Sequence, residues 1–174
     1  MPVTAPNLDV FVEALNSKGI IMLNEGRLEQ VGTPEELYRR PRTAFVASFL
    51  GKINWMRGEV LSGASTNTVA IAGRPVPCGE GNGFVGGRVR VGVRPEDLRI
   101  DPNGCLAARV VGRRFLGDSI VVRLVLADGT SLMADQRSPL ADAAVGHEVH
   151  IAWDPEAAHL FPADANEADD EASV

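Results

Sequence analysis

The sequence predicts a mainly β protein, a small closed barrel preceded by a β-hairpin and two short helices. Three observations carry that expectation. From residue 51 onward the chain breaks into short alternating runs punctuated by glycine, the pattern of a small barrel or sandwich. In "GRVRVGVR", Val89, Val91 and Val93 alternate with Arg88, Arg90 and Gly92, so one face of the strand is core and the other is wet. Before residue 51 the apolar spacing is that of a hairpin followed by helical turns. Five or more short antiparallel strands joined by long connections point to an OB-like sheet.

The elements follow in order. Ile20 to Leu23 and Arg27 to Val31 are β-prone runs separated by "NEG", whose Asn24 and Gly26 tolerate the positive φ of a short hairpin loop. Thr33, Pro34 and Glu36 then start a helix: Thr33 caps free N–H groups, Pro34 fits the first helical position and Glu36 completes a capping box. That helix runs to Arg40 and stops at Pro41. In "TAFVASFLG", Phe45, Val46, Phe49 and Leu50 fall at helical spacing and Gly51 supplies the exit. The strand regions beyond are "MRGEV", "TNTVAIAG", "GRVRVGVRP", "LAARVVGRRFLGD", "SIVVRLVLADGTSLMAD" and "HEVHIAWD". Asp128-Gly129 predicts a type I′ turn inside the fifth of these. The expected division is residues 1–50 for the hairpin and helices, 51–163 for the barrel and 164–174 for an acidic tail.

Composition excludes several classes. Apolar residues at 45% and charged residues at 23% match an ordinary globular chain. The net charge of -6 is concentrated in Asp164, Glu167, Asp169, Asp170 and Glu171, and without them the body is near neutral. "DANEADDEASV" therefore reads as a disordered, solvated tail. Cys78 and Cys105 lack CxxC spacing, which argues against zinc or a disulfide framework and for reduced thiols in the cytosol. No apolar run reaches the length of a membrane-spanning helix, and the first residues lack a signal-peptide pattern.

The order "IIMLNEGRLEQVGTPEELYRRPRTAFVASFLG", "GKINWMRGEV", "VGVRPEDL", "RRFLGDSIVVRLVLADG" and "IAWDPEAAHLF" resembles the C-terminal part of ATP-binding subunits of bacterial ABC importers of the maltose, polyamine, ferric-iron and sulfate types. The resemblance covers roughly residues 20 to 162. It implies the end of an ATPase domain followed by the transport-associated OB domain, TOBE. It also implies a cytoplasmic place peripheral to the inner membrane, a homodimer, and permease or regulatory subunits as partners. A small anion effector is a further expectation. ATP and magnesium belong to the full-length family, and no cofactor is expected for this chain. The sequence contains no GxxxxGK[ST] loop to cradle phosphates. "LSGAS", Leu61 to Ser65, superficially matches the family's LSGGQ signature but follows the TPEELY helix instead of preceding it, and reads as a loop. In "VTAPNLDVFVEAL" Ala5 stands where the family carries its switch histidine. An enzyme is therefore not expected.

The remaining candidates are weaker. "VRPEDL" is first a proline-locked turn, with Arg94, Glu96 and Asp97 as effector or interface candidates through the resemblance. "FLGD" adds Gly117 and Asp118, and "WDPE" adds Trp153 and Asp154, where Trp153 is either an interface anchor or core. Phe45, Val46, Phe49 and Leu50 are expected to pack against a second copy. His147, His150 and His159 lack the carboxylate or thiol that would complete a metal set. Arg113, Arg114 and Phe115 could begin a nucleic-acid platform, but aromatic residues are only 5% of the chain. The expected function is a non-catalytic regulatory and dimerisation domain of an importer's ATP-binding subunit, supporting transport of a small solute. The rival is a free-standing module that binds an oxyanion or similar small ligand.

Overall fold

The computed structural model describes residues 19–63, 67–79, 86–137 and 143–163. The "VTAPNLDVFVEAL" segment, the end of "LSGAS" and the acidic tail lie outside them. The chain divides into two compact units, with the boundary between Lys52 and Ile53.

The first unit is a hairpin, β1 (Ile20–Asn24) with β2 (Arg27–Gly32), followed by α1 (Pro34–Arg39) and α2 (Ala44–Phe49). Glu25 and Gly26 are the two loop residues at φ +47° and +76°, the signature of a type I′ turn, and Asn24 stays in the strand. The capping box forms: Thr33 Oγ1 accepts from Glu36 N at 3.3 Å while Glu36 Oε2 accepts from Thr33 N at 2.8 Å. The Thr33 N–H, and after it the Thr33 hydroxyl, which donates to the same oxygen at 3.0 Å, hold the Glu36 carboxyl below its ordinary pKa. Thr43 caps α2 by its hydroxyl alone, Oγ1 accepting from Val46 N at 3.3 Å, with no return bond from the Val46 side chain. Gln30, buried in β2, donates to Arg40 O at 3.0 Å and accepts from Arg42 N at 2.8 Å, so one amide satisfies the chain where α1 ends. Met22, Leu37 and Val46 form the unit's small core, with Ile20, Phe45 and Leu50 packed against it.

The second unit is the β-domain, built of two five-stranded sheets. One has the order β12-β6-β3-β4-β5: β3 (Asn54–Gly63), β4 (Asn67–Ile71), β5 (Arg74–Cys78), β6 (Gly87–Val93) and β12 (His159–Pro162). The other has the order β10-β9-β8-β11-β7: β7 (Arg99–Ile100), β8 (Leu106–Phe115), β9 (Ile120–Leu126), β10 (Ser131–Gln136) and β11 (Glu148–Ala152). Inward alternation on every long strand feeds one core, including Val89, Val91, Val93, Val110, Leu124 and Ile151. The architecture is OB-like and mainly β.

A side chain closes the seam between the sheets. Buried Asn54 of β3 donates to Met133 O at 2.8 Å and accepts from Met133 N at 2.7 Å, so its amide pairs with edge strand β10 as another strand would. Asp135 N donates to Pro95 O at 2.8 Å and Gln136 Nε2 to Leu98 O at 2.7 Å, which fastens β10 to the turn after β6. Gly104 sits against the backbone of Ile151, where an added Cβ would lie 2.4 Å from the carbonyl oxygen.

Three local expectations change. β3 extends to Gly63, so the first part of "LSGAS" is strand. β5 is not among the expected strands, and "RPVPC" is the edge strand, where the missing N–H groups of Pro75 and Pro77 are tolerated. At Asp128-Gly129 only Gly129 has positive φ, +86°. Gly129 N donates to Leu126 O and Leu126 N to Thr130 O, making a three-residue loop with a glycine bulge, which the Asp128 carboxylate braces by accepting from Thr130 N.

Candidate effector site

The turn after β6 is built by its sequence. Pro95 fixes the bend, and Asp97 N and Leu98 N both donate to Arg94 O, at 3.1 and 3.2 Å. Arg94 is buried to 2% exposure beneath this turn, and Arg94, Glu96 and Asp97 are each engaged in a polar or electrostatic contact within the protein. The β8–β9 loop reaches the same end of the barrel, with Gly117 at φ +102° and Leu116 N donating to Ser119 O at 2.9 Å.

Together with the end of β10 these loops enclose an open cavity of about 430 Å³ whose charged lining is Glu96, Asp118, Asp135, Arg99 and Arg137. Arg99 is already held by Asp154 in a bidentate pair, 3.1 and 3.0 Å. That hydrogen-bonded pairing lowers the Asp154 carboxyl pKa and raises that of Arg99, which also feels Asp101 and Asp97. Three carboxylates and two guanidiniums thus line the cavity, and one of the guanidiniums, Arg99, is paired with Asp154. Asp135 Oδ1 is buried with no hydrogen-bond partner among the described residues.

The candidates from sequence are thus partly gathered. Glu96 and Asp118 meet at the cavity, Gly117 shapes its loop, Asp154 reaches it through Arg99, and Asp97 acts on Arg99 from the neighbouring turn. Trp153 does not join them: it is 6% exposed in the barrel core, its Nε1 buried without an acceptor among the described residues. Arg99, Asp135 and Arg137 were not anticipated, and nothing local in their sequence marks them.

In the first unit Val46 is fully buried in its own core, Phe45 and Leu50 are half-buried against it, and Phe49 is 68% exposed with its ring 5.9 Å from that of Phe45. Among the described residues no group of three or more His, Cys, Asp or Glu could hold a metal ion. No helix among them is long and apolar enough to cross a membrane. Cys78 is buried and Cys105 exposed, both free; burial, with Cys105 nearby, pushes the Cys78 thiol up to about 12.

A small OB-like β-domain with a charged loop cluster at one end is the class these features define. A solved structure described as the cytoplasmic molybdate-binding protein ModG shares the fold, with TM-score 0.52 and 15% identity over 62% of this chain and 94% of that one. Residues 91–161 match the TOBE domain family. The chain is 37% identical over 156 residues to the sn-glycerol-3-phosphate import ATP-binding protein UgpC of Jannaschia sp. (strain CCS1), covering 88% of this chain and 43% of that protein. Spermidine/putrescine import ATP-binding proteins PotA of Marinobacter nauticus and Rubrobacter xylanophilus are 33% and 37% identical, over 81% and 82% of this chain and 41% and 40% of theirs. The chain therefore spans about two fifths of the length of these curated relatives.

Proposed function

We propose that this chain is the non-catalytic regulatory and self-association part of an ABC importer's ATP-binding subunit, supporting uptake of a small solute with permease subunits at the cytoplasmic face of a membrane. One observation carries the reading: the TOBE domain lies in a chain aligned over most of its length with importer ATP-binding subunits, hairpin and helices included. The absence of a phosphate-binding loop from this sequence makes ATP chemistry by the chain alone unworkable. Self-association rests on Phe49, the exposed aromatic of α2.

The test has two arms. Purified chain is assayed for magnesium-dependent phosphate release and labelled-ATP binding, with none expected; either activity surviving purification overturns the non-catalytic reading. Light scattering coupled to size exclusion is expected to give twice the monomer mass, reduced to one by Phe49→Asp, and a monodisperse monomer at micromolar concentration overturns self-association. The rival reading is an oxyanion-binding module, and three of the five charged side chains lining the cavity are carboxylates, which does not favour it. Its test is a melting-temperature panel of molybdate, tungstate, sulfate and phosphate, in which no rise is expected.

A further inference from the structure

β8 and β9 carry Arg109, Arg113, Arg114 and Arg123 and no acidic residue. The flanking strands answer with two carboxylates, Glu148 opposite Arg109 and Asp135 opposite Val121. All four arginines are exposed, and none forms an ion pair among the described residues.

The register gathers three of them on one face. Val110 and Leu124 form a buried rung, so Arg109 with Val125 on one side of it, and Gly112 with Arg123 beyond the bulge at Val111, stand on the solvent face. Arg123 lies across Gly112, where an added Cβ would be 2.7 Å from its Nη2, and Arg114 follows on that face opposite Val121. From Arg109 to Arg114 is roughly 17 Å of strand.

This face is also hollow and apolar. Ala107, Val111, Val125 and Ala127 line a trough of about 380 Å³ that Arg109 and Glu148 adjoin. Towards the β8–β9 loop the exposed apolar surface continues through Leu116 and Phe115, the latter 72% exposed. Apolar surface rimmed by arginine is the composition of a recognition face.

We propose that this face docks an acidic amphipathic segment of a different protein, its carboxylates on Arg109, Arg114 and Arg123 and its apolar side chains in the trough. Guanidinium forks match carboxylates in geometry as well as charge. A second copy docking through the same face by two-fold symmetry would set arginine against arginine. Single-stranded nucleic acid stacks on several aromatics, and these two strands hold only Phe115. An anionic bilayer supplies phosphates but no side chains to fill a trough floored by alanine and valine. The inference goes beyond the self-association read from Phe49, which belongs to the other unit.

The test titrates the full chain with a synthetic helical peptide of about 16 residues, glutamates on one face and leucines on the other, and reads backbone amide resonances. At about 20 mM salt the shifts are expected to map to residues 107–115 and 121–127, and to fade at about 500 mM. R109E/R123E is expected to weaken binding at least about tenfold, its unchanged core resonances establishing that it folds. Val111→Asp, at an exposed position, is expected to weaken it through the apolar side. A control peptide with serine for leucine is expected to bind about tenfold more weakly. No shifts on the ribbon, undiminished binding by either variant, or equal binding of the serine peptide overturns the proposal. Tighter binding of the ribbon by phosphatidylglycerol vesicles or an oligothymidylate also overturns it, as do ribbon shifts that grow with protein concentration before peptide is added, which would make the occupant a second copy.

Discussion

The two units solve the same problem with different means. The β-domain packs on a continuous apolar core fed by ten strands, while the first unit has a core cluster of only Met22, Leu37 and Val46 and leans on capping residues and the Gln30 amide to hold its shape. Burial dominates where many residues share one interior; where few do, each hydrogen bond and each methyl group carries a larger share. Single substitutions should therefore act locally in the first unit and globally in the second.

Leu37→Ala is expected to cost the first unit about 3–4 kcal/mol and abolish its protection from hydrogen exchange, leaving the barrel's protected amides unchanged. Loss of protection in both units together would erase the distinction. Gly104→Ala forces a methyl group into the backbone of Ile151 and is expected to lower barrel stability by about 3 kcal/mol, read from the denaturant midpoint of the barrel's own transition. Asn54→Ala strands the Met133 N–H and carbonyl at the seam, for about 2 kcal/mol and faster exchange along β10. Gly129→Val places a β-branched residue at φ +86° and should cost about 1–2 kcal/mol.

The smallest effect is electrostatic. Because the Asp154 carboxyl is held below its ordinary pKa by Arg99, its pairing contributes above the unfolded-state pKa and is lost as pH falls through the lower native one. The pair is exposed, so the contribution to folding is minor, and the measurement that reads it is a carboxyl titration by NMR. Arg99→Ala should return Asp154 to an ordinary midpoint; an unmoved midpoint removes the link between "WDPE" and the cavity.

How much of this was legible follows from what each signal depends on. The Thr33–Glu36 cap and the Val89–Val91–Val93 alternation were readable because their physics is local, complete within a few residues. β5 was hidden by Pro75 and Pro77, whose tolerance depends on being at an edge, a fact of the whole sheet. β7, two residues long, and β12, four, are too short to show a period. Glu96 and Asp118 were singled out as motif residues, yet Arg99, Asp135 and Arg137 share their cavity only because β10 is fastened beside the turn after β6. Asn54 gave no sign either, since a buried asparagine looks like any other polar residue until its partner 79 positions away is known.

The prolines of β5 have one more consequence. In the register with β4, Pro75 faces Ala70 and Pro77 faces Thr68, and a ladder that persists through them must turn their nitrogens to the open side. Two successive sites on that border thus offer no donor. An incoming strand would find acceptors without matching donors there, which disfavours lengthening the sheet into a fibril or a swapped oligomer. The sheet is thus protected at this border, and a second copy of the chain would have to dock elsewhere.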